Sequence, residues 1–371
     1  MTNLNNQEIQ RTVGVEIEFY SPRSRTTIEN AFVEAGIPFQ NSATYQTRRC
    51  QNWTLKTDGS LNHPPHLSQF PVANTDTTTP EPYVRGWEMV SPVMDFNETT
   101  LAQIEKVCET LVSNKIEARV NKSTGLHIHI SNDDLTFKQN KLIAKRYAKF
   151  EDVFDYFMPR SRRTNSAGYC RSLICNSRGT SVEIINQTLQ KINSCRSIRC
   201  LQRLFGDGSR YAKINFTSPH GTVEFRHHSG TIDSVKINNW LKLCHQIVVA
   251  AKNNKPVKKL DATRTGTRTL NHRFKVLMSG INITSDVKKF FGKRMRKFIR
   301  EDGQPQTVQT NETSIMTDER RRSFFRTINL GLRNVRGQQY IDQIRAFMND
   351  GFLEEAQSLL NSVILRQRRG Q

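Results

Sequence analysis

The segment "VGVEIEF" at residues 13–19 sets two glutamates into one of the most apolar stretches of the chain. Val13, Val15, Ile17 and Phe19 alternate with Gly14, Glu16 and Glu18. This period of two predicts a β-strand with one buried face. Successive strand residues point to opposite faces, so Glu16 and Glu18 project together, about 7 Å apart at the backbone. Carboxylates that close repel, and burying them is unfavourable by on the order of several kcal/mol unless they are compensated. Any fold of this chain must bring compensating charge to the front of that strand.

Three more stretches share the design. In "GLHIHI", Leu126, Ile128 and Ile130 face one way and His127 and His129 the other. In "TVEFRHH", Val223 and Phe225 oppose Glu224 and Arg226. In "GWEMVSP", Glu88 sits between Trp87 and Met89. If all four fronts share a cavity, it holds four carboxylates, two imidazoles and an arginine. Hard divalent cations such as Mg²⁺ or Mn²⁺ relieve the repulsion, because they prefer carboxylate oxygen and keep other positions for water or phosphate. Glu16 and Glu18 are therefore expected as direct metal ligands. Each pattern alone has a plainer reading: E-x-E a solvated sheet face, H-x-H core packing, E-x-R an internal salt bridge. The metal expectation rests on their recurrence in strands of one design. Arg226 beside metal-bound carboxylates suits a phosphate oxygen, with permanent charge and paired donors. Arg160, Arg162, Arg163, Arg171 and Arg210 are further candidates of that kind, although in so basic a chain most arginines are surface charge.

The 371 residues carry a formal net charge of +21, which predicts an anionic partner. The start, "MTNLNNQEIQR", is polar, so no signal peptide is expected, and no apolar run approaches membrane-spanning length. Seven cysteines without C-x-x-C spacing predict reduced thiols and a cytoplasmic setting, with Cys170/Cys175 and Cys195/Cys200 a weak metal signal. Helices are expected over about 25–35, 99–115, 134–158 and 235–253, and strands at "NWTLKTDGS", "RGWEMVSPVM" and "GLHIHI". "YAKINF" and "TVEFRHH" read as a hairpin joined by "SPHG", and residues 62–84 as a long loop. The class is α+β, a mixed or antiparallel sheet covered by helices. Residues 11–252 form the expected catalytic domain. Residues 253–371 form a basic, largely helical region that includes "DVKKFFGKRMRKFIRE". There is no P-loop, G-x-G-x-x-G, H-E-x-x-H or G-x-S-x-G.

The order "VGVEIEF", "LKTDGSL", "GWEMVSPV", "STGLHIHI", "SRRTN", "TVEFRHHSGTID" resembles the amidoligase family of the glutamine synthetase / glutamate–cysteine ligase superfamily, over about residues 11 to 252. The resemblance implies a curved, mostly antiparallel sheet with helices on its convex face and the site on the concave one. It implies an ATP- and Mg²⁺-dependent ligase that joins a carboxylate to an amine through an acyl-phosphate. By position, Glu16 and Glu18 would bind different metal ions, with Glu88 sharing that of Glu18. His127 and Glu224 would complete the other. His129 and Arg226 would face the phosphates, and Asp58 the amine. Arg162 or Arg163, Asn165 and Arg210 would be weaker substrate or phosphate contacts. The 62–84 loop and the basic tail depart from the pattern and leave both substrates open. Two rival readings stay open: a metal-dependent phosphohydrolase or nuclease, and a non-catalytic nucleic-acid-binding protein using its basic last third.

Overall fold

The computed structural model describes residues 11–40, 50–57, 61, 84–163, 170–174, 182–205, 210–257, 270–303, 326–333, 335–349 and a few positions from 360 to 367. The expected 62–84 loop therefore lies almost wholly outside the described residues, as do Asp58 and Asn165.

The alternation in the first strand, β1 (Thr12–Ser21), organises the sheet. On one side β1 pairs with β3 (Arg85–Val90) and with the two-residue β4 (Met94–Asp95). On the other it pairs with β5 (Gly125–Ser131). Adding β2 (Thr54–Lys56), β6 (Ile214–Asn215) and β7 (Thr222–Ser229) gives the order β2-β3-β1-β5-β7-β6, every neighbouring pair antiparallel. The expected α+β class and the hairpin of the last two strands are observed. The "RGWEMVSPVM" stretch forms two strands rather than one, because Pro92 has no N–H to donate to a ladder. Ser91 bridges the gap: its N–H donates to the Val15 carbonyl at 2.9 Å and its Oγ accepts from the Val15 N–H at 2.9 Å.

The apolar backs of these strands meet helices. Val15, Ile17, Phe19, Met89, Ile128 and Phe225 share one core with α2 (Glu98–Val112), α3 (Phe137–Lys149) and α7 (Ser234–Lys252). Each helix starts at a residue whose side chain caps its free N–H groups: Asn97 for α2, Thr136 with Gln139 in a capping box for α3, Asp233 for α7. The first helix, α1 (Arg25–Glu34), starts at Ser24 and stops before Gly36, whose φ of 64° suits glycine.

The single helix expected over 134–158 is broken. At Phe150 the backbone leaves helical geometry (φ −115°, ψ 20°), and the short α4 (Glu151–Asp155) starts anew. Glu151 and Asp155 of α4 hold the fully buried Lys213, both at 2.5 Å. Asp155 also meets His227 Nε2 at 2.9 Å, and His227 Nδ1 meets the Tyr147 hydroxyl at 2.7 Å. A β-bulge in β7 makes this possible, since Leu126 pairs with His228 but Ile128 with Phe225. The extra residue lets His227 and His228 both face the helix layer, where His228 packs on Trp240.

The chain divides into two compact units, residues 1–301 and 302–371. The reason lies in α8 (Leu270–Gly280) and α9 (Ser285–Gly303), whose Phe274, Leu277, Phe291 and Met295 belong to the main core. The second unit has its own small cluster, including Ile328, Leu332, Ile344 and Leu360, with α10 (Gln338–Asn349) contributing Ile344. Among the described residues no helix is long and apolar enough to cross a membrane.

The buried histidines predict acid sensitivity. Burial pushes His227 and His245 down from 6.5 to about 4. Between those values the unfolded chain binds protons the folded one does not, so stability falls as pH drops from about 6.5 to about 4. Each histidine should remove on the order of 3 kcal/mol over that window. Urea midpoints measured across it should fall steeply, and a His245→Phe variant should show a shallower fall.

Candidate functional site

The face of the sheet opposite these helices carries the charged fronts, and strand register decides which residues meet. Glu18 lies opposite Glu88, Glu16 opposite His127, and Gly14 opposite His129. His129 in turn lies opposite Glu224, and Glu224 opposite Asn215. Lys56 of β2 lies opposite Glu88.

The side chains converge accordingly. His127 Nδ1 is 3.1 Å from Glu16 Oε2 and 3.9 Å from Glu224 Oε1, and its Nε2 is 3.6 Å from Glu18 Oε1. His129 Nε2 is 3.4 Å from Glu16 Oε1. Arg226 forms a salt bridge with Glu224, whose other oxygen accepts from Asn215 Nδ2 at 2.8 Å. Glu18 accepts from the Gly125 N–H at 2.5 Å. A Cβ at Gly125 would come within 3.0 Å of His127 Nε2 and 3.4 Å of Glu18 Oε2, so the close approach of that carboxylate needs glycine there.

The fields are strong. Burial alone would raise the Glu16 carboxyl, but the imidazoles of His129 and His127 hold it well below the usual carboxylate range. Burial would lower His129, and Glu16 followed by Glu224 reverses this and holds it above the ordinary histidine value. Glu224 is likewise held down against burial, chiefly by Arg226.

Two groups of donors are close enough to share an ion. Glu16, His129 and Glu224 form one, and Glu16, Glu88 and His127 the other, all ligand atoms in each within 4.8 Å. Glu16 is common to both. This grouping differs from the expected one, in which Glu88 partners Glu18, and His127 partners Glu224. Glu18 is instead engaged by the Gly125 amide and lies near His127. The donor set fits a divalent ion: carboxylate oxygens dominate, and imidazole complements them. His129 fits further. Thr222 Oγ1 lies 2.9 Å from His129 Nδ1 and donates onward to Ser218 at 3.1 Å, so it accepts from the Nδ1–H. That leaves the buried Nε2, which faces Glu16 Oε1 at 3.4 Å, as the nitrogen turned toward the shared donor group. Arg226 Nε is also buried without a partner.

Beside the His129 end lies an open cleft of about 690 Å³, solvent side included, lined by Gly14, Lys56, Ser91, Asp133 and His220 among others. The His220 ring meets His129 edge-on at 6.0 Å. Burial, with His129 nearby, lowers its pKa.

Glu16, Glu18, Glu88, His127, His129, Glu224 and Arg226 thus lie together on one face. The other arginines are placed differently. Arg162 is buried and donates to the Thr124 and Ser123 carbonyls, bracing the start of β5. Arg163 lies over the rings of Tyr156 and Phe298, among the helices, and donates to the Met158 carbonyl. Arg210 is exposed, over the ring of Tyr211, which Arg226 also faces at 5.9 Å. Asn215, Thr222 and His220 were missed. Asn215 and Thr222 follow only once register is known, because their sequence neighbourhood reads as an ordinary hairpin.

The sequence model of a family described as "Putative amidoligase enzyme" matches residues 9–248. No curated protein matches the chain in sequence. A crystal structure of a bifunctional glutathione synthetase from Pasteurella multocida aligns with a TM-score of 0.35 and 12% identity, over 78% of this chain and 47% of that one. The chain thus spans about half the length of that protein.

The shared position of Glu16 makes a prediction. Calorimetric titration with Mn²⁺ should show binding to the wild type that Glu16→Gln abolishes. Glu88→Gln should remove one class of site and leave the His129–Glu224 class in place, its affinity altered through the shared Glu16, because neighbouring sites with a common ligand are coupled.

Proposed function

The chain belongs to the amidoligase family, and from that premise we propose that it joins a carboxylate to an amine with consumption of ATP. The observation that carries this reading is the pair of three-donor groups sharing Glu16 on a face that also presents Arg226. The antiparallel sheet, one face against helices and the other charged, is read as that of the glutamine synthetase / glutamate–cysteine ligase superfamily.

Mg²⁺ or Mn²⁺ ions held by Glu16, Glu88, Glu224, His127 and His129, with Glu18 adjoining, would neutralise the charge of phosphate and carboxylate groups that otherwise repel. The chain's own residues do the rest. Arg226 orients the transferring γ-phosphoryl with its planar donors, and Asn215 and Glu224 fix the guanidinium's direction. The substrate carboxylate takes the phosphoryl group, and ADP leaves. The amine, as the free base, then attacks the acyl carbon and phosphate departs. Asp58 is the proposed acceptor of the amine's proton. Lys56 and His220 line the cleft by which a substrate reaches His129.

Hydroxylamine tests the reaction class, because it captures an acyl-phosphate whatever the natural amine. With ATP, Mg²⁺ and an accepted carboxylate, the wild type should release ADP and form a hydroxamate. Glu16→Gln should lower the rate by roughly 100-fold or more. ATP cleavage indifferent to both carboxylate and hydroxylamine, or phosphodiester cleavage in its place, contradicts the ligase reading and favours a phosphohydrolase.

A second, compatible activity is supported by α9. Its apolar stripe (Val287, Phe291, Met295, Phe298) is buried, and Lys288, Lys289, Lys293, Arg296, Lys297 and Arg300 are exposed. Asp286 and Glu301 of the same helix lie 3.7 Å from Lys289 and Lys297 respectively. We propose that this face contacts the phosphate backbone of nucleic acid, an evenly spaced polyanion. Fluorescence anisotropy with a mixed-sequence oligonucleotide should give a log–log salt slope of roughly −3 to −5. Reversing Lys288, Lys293 and Arg296 to Glu should flatten it by about one for each residue. Unchanged binding by that variant contradicts the assignment.

A further inference from the structure

Six cysteines fall among the described residues, and two of them meet: Cys195 Sγ and Cys200 Sγ are 3.0 Å apart. The backbone enforces this. Helix α5 (Val182–Ser194) ends just before Cys195, and α6 (Ile198–Arg203) starts at Ser197, whose Oγ accepts from the Cys200 N–H at 3.1 Å. The three residues between the helices fold the second sulfur back onto the first. Cys195 is 3% exposed, whereas Cys200 is open to solvent in part. Neither cysteine belongs to a three-donor metal group among the described residues. The remaining described cysteines, Cys108, Cys170 and Cys244 in the core and Cys50 in part exposed, show no such partner sulfur.

We infer that Cys195 and Cys200 form a thiol–disulfide exchange site that takes a small-molecule disulfide and closes into an intramolecular bond tethering α6 to the end of α5. The two sulfurs have different parts. Cys200 is reachable, and its hydrogen bond with the Cys195 sulfur, the largest cause, lowers its pKa. Cys195 is sheltered, and burial followed by that same bond pushes it up to about 12. The exposed sulfur is therefore the attacking thiolate and the sheltered one the resolving thiol. Arg203 and Lys141 add positive charge near Cys200.

The exchange balances. The Cys200 thiolate attacks one sulfur of R–S–S–R, breaking that bond and releasing R–S⁻, and Cys200 is left as a mixed disulfide. The released thiolate takes the Cys195 proton. The Cys195 sulfur then attacks Cys200, and the second R–S⁻ leaves and is protonated from solvent by the proton Cys200 gave up. Two protein thiols are oxidised and one small disulfide is reduced to two thiols. The sulfurs need close only from 3.0 Å to about 2.05 Å. The tether lies near the charged face: Gln202, also on α6, accepts from the Phe216 N–H at 2.8 Å, and neighbouring Asn215 holds Glu224.

The test uses the full chain, reduced and then equilibrated with glutathione buffers of rising oxidised fraction. Free thiols are capped and the protein is digested with trypsin. Cleavage after Arg196 and Arg199 separates the two cysteines, so the bond appears as a linked peptide pair. The expected result is a linked pair that forms with oxidised glutathione and disappears with reduced glutathione. Cys195→Ser should instead accumulate a lasting glutathione adduct on Cys200, and Cys200→Ser should modify Cys195 at least roughly tenfold more slowly. Absence of the linked pair in fully oxidised buffer overturns the inference. So does a wild-type Cys200 adduct that persists without closing.

Discussion

The rest of the molecule depends on how the Glu16 carboxylate is compensated. It stands between His127 and His129, at 3.1 and 3.4 Å, on a strand whose other face is solid core. The imidazoles hold it ionised against burial. Both come from β5, so β1 and β5 must pair in the one register that sets Glu16 opposite His127. A slip by one residue would bury every front and expose every back. The same constraint that fixes the sheet therefore assembles the site. Fold and chemistry are one arrangement in this protein, seen from two faces.

The helix side reinforces that arrangement with a second polar network. Lys213, Glu151, Asp155, His227 and Tyr147 are knitted together behind β7, against the apolar core. Replacing such networks by apolar groups is often neutral for stability, so their usual value lies in specifying geometry. Here the geometry is the bulge. Arg226 donates its N–H to the Lys213 carbonyl at 2.9 Å, and its side chain turns to Glu224 while His227 turns the other way. Ordinary alternation turns Arg226 and His227 to opposite faces, and the bulge then keeps His228 on the helix side with His227.

Much of this was legible in the residues themselves. Period-two alternation in β1, β3, β5 and β7 identified the strands and the seven front residues that share a face, because alternation and burial obey the same geometry. Register was not legible, so the partition of ligands around Glu16, and the parts of Asn215 and Thr222, appear only in three dimensions. Periodicity could not show the break at Phe150 either, since α3 and α4 share a continuous helical pattern and the interruption serves Lys213, distant in sequence. The apolar stripes of α8 and α9 were visible, but a stripe does not name its partner. Both are buried in the main core, within the unit that runs to Glu301. Arg162 and Arg163 show the converse: composition put arginines on offer, and packing spent these on carbonyls and rings.

The central claim is that the charged face of the sheet is a metal-assisted phosphate site. Thermal unfolding of the wild type with ATP, in the presence and absence of Mg²⁺, tests it most directly. A ligand at about 100 times its Kd stabilises the folded state by about 2.7 kcal/mol. The account predicts a shift of that order with ATP and Mg²⁺ together, little with ATP alone, and none in Glu16→Gln. A wild type that unfolds at the same temperature with and without both, at millimolar concentrations of each, contradicts it.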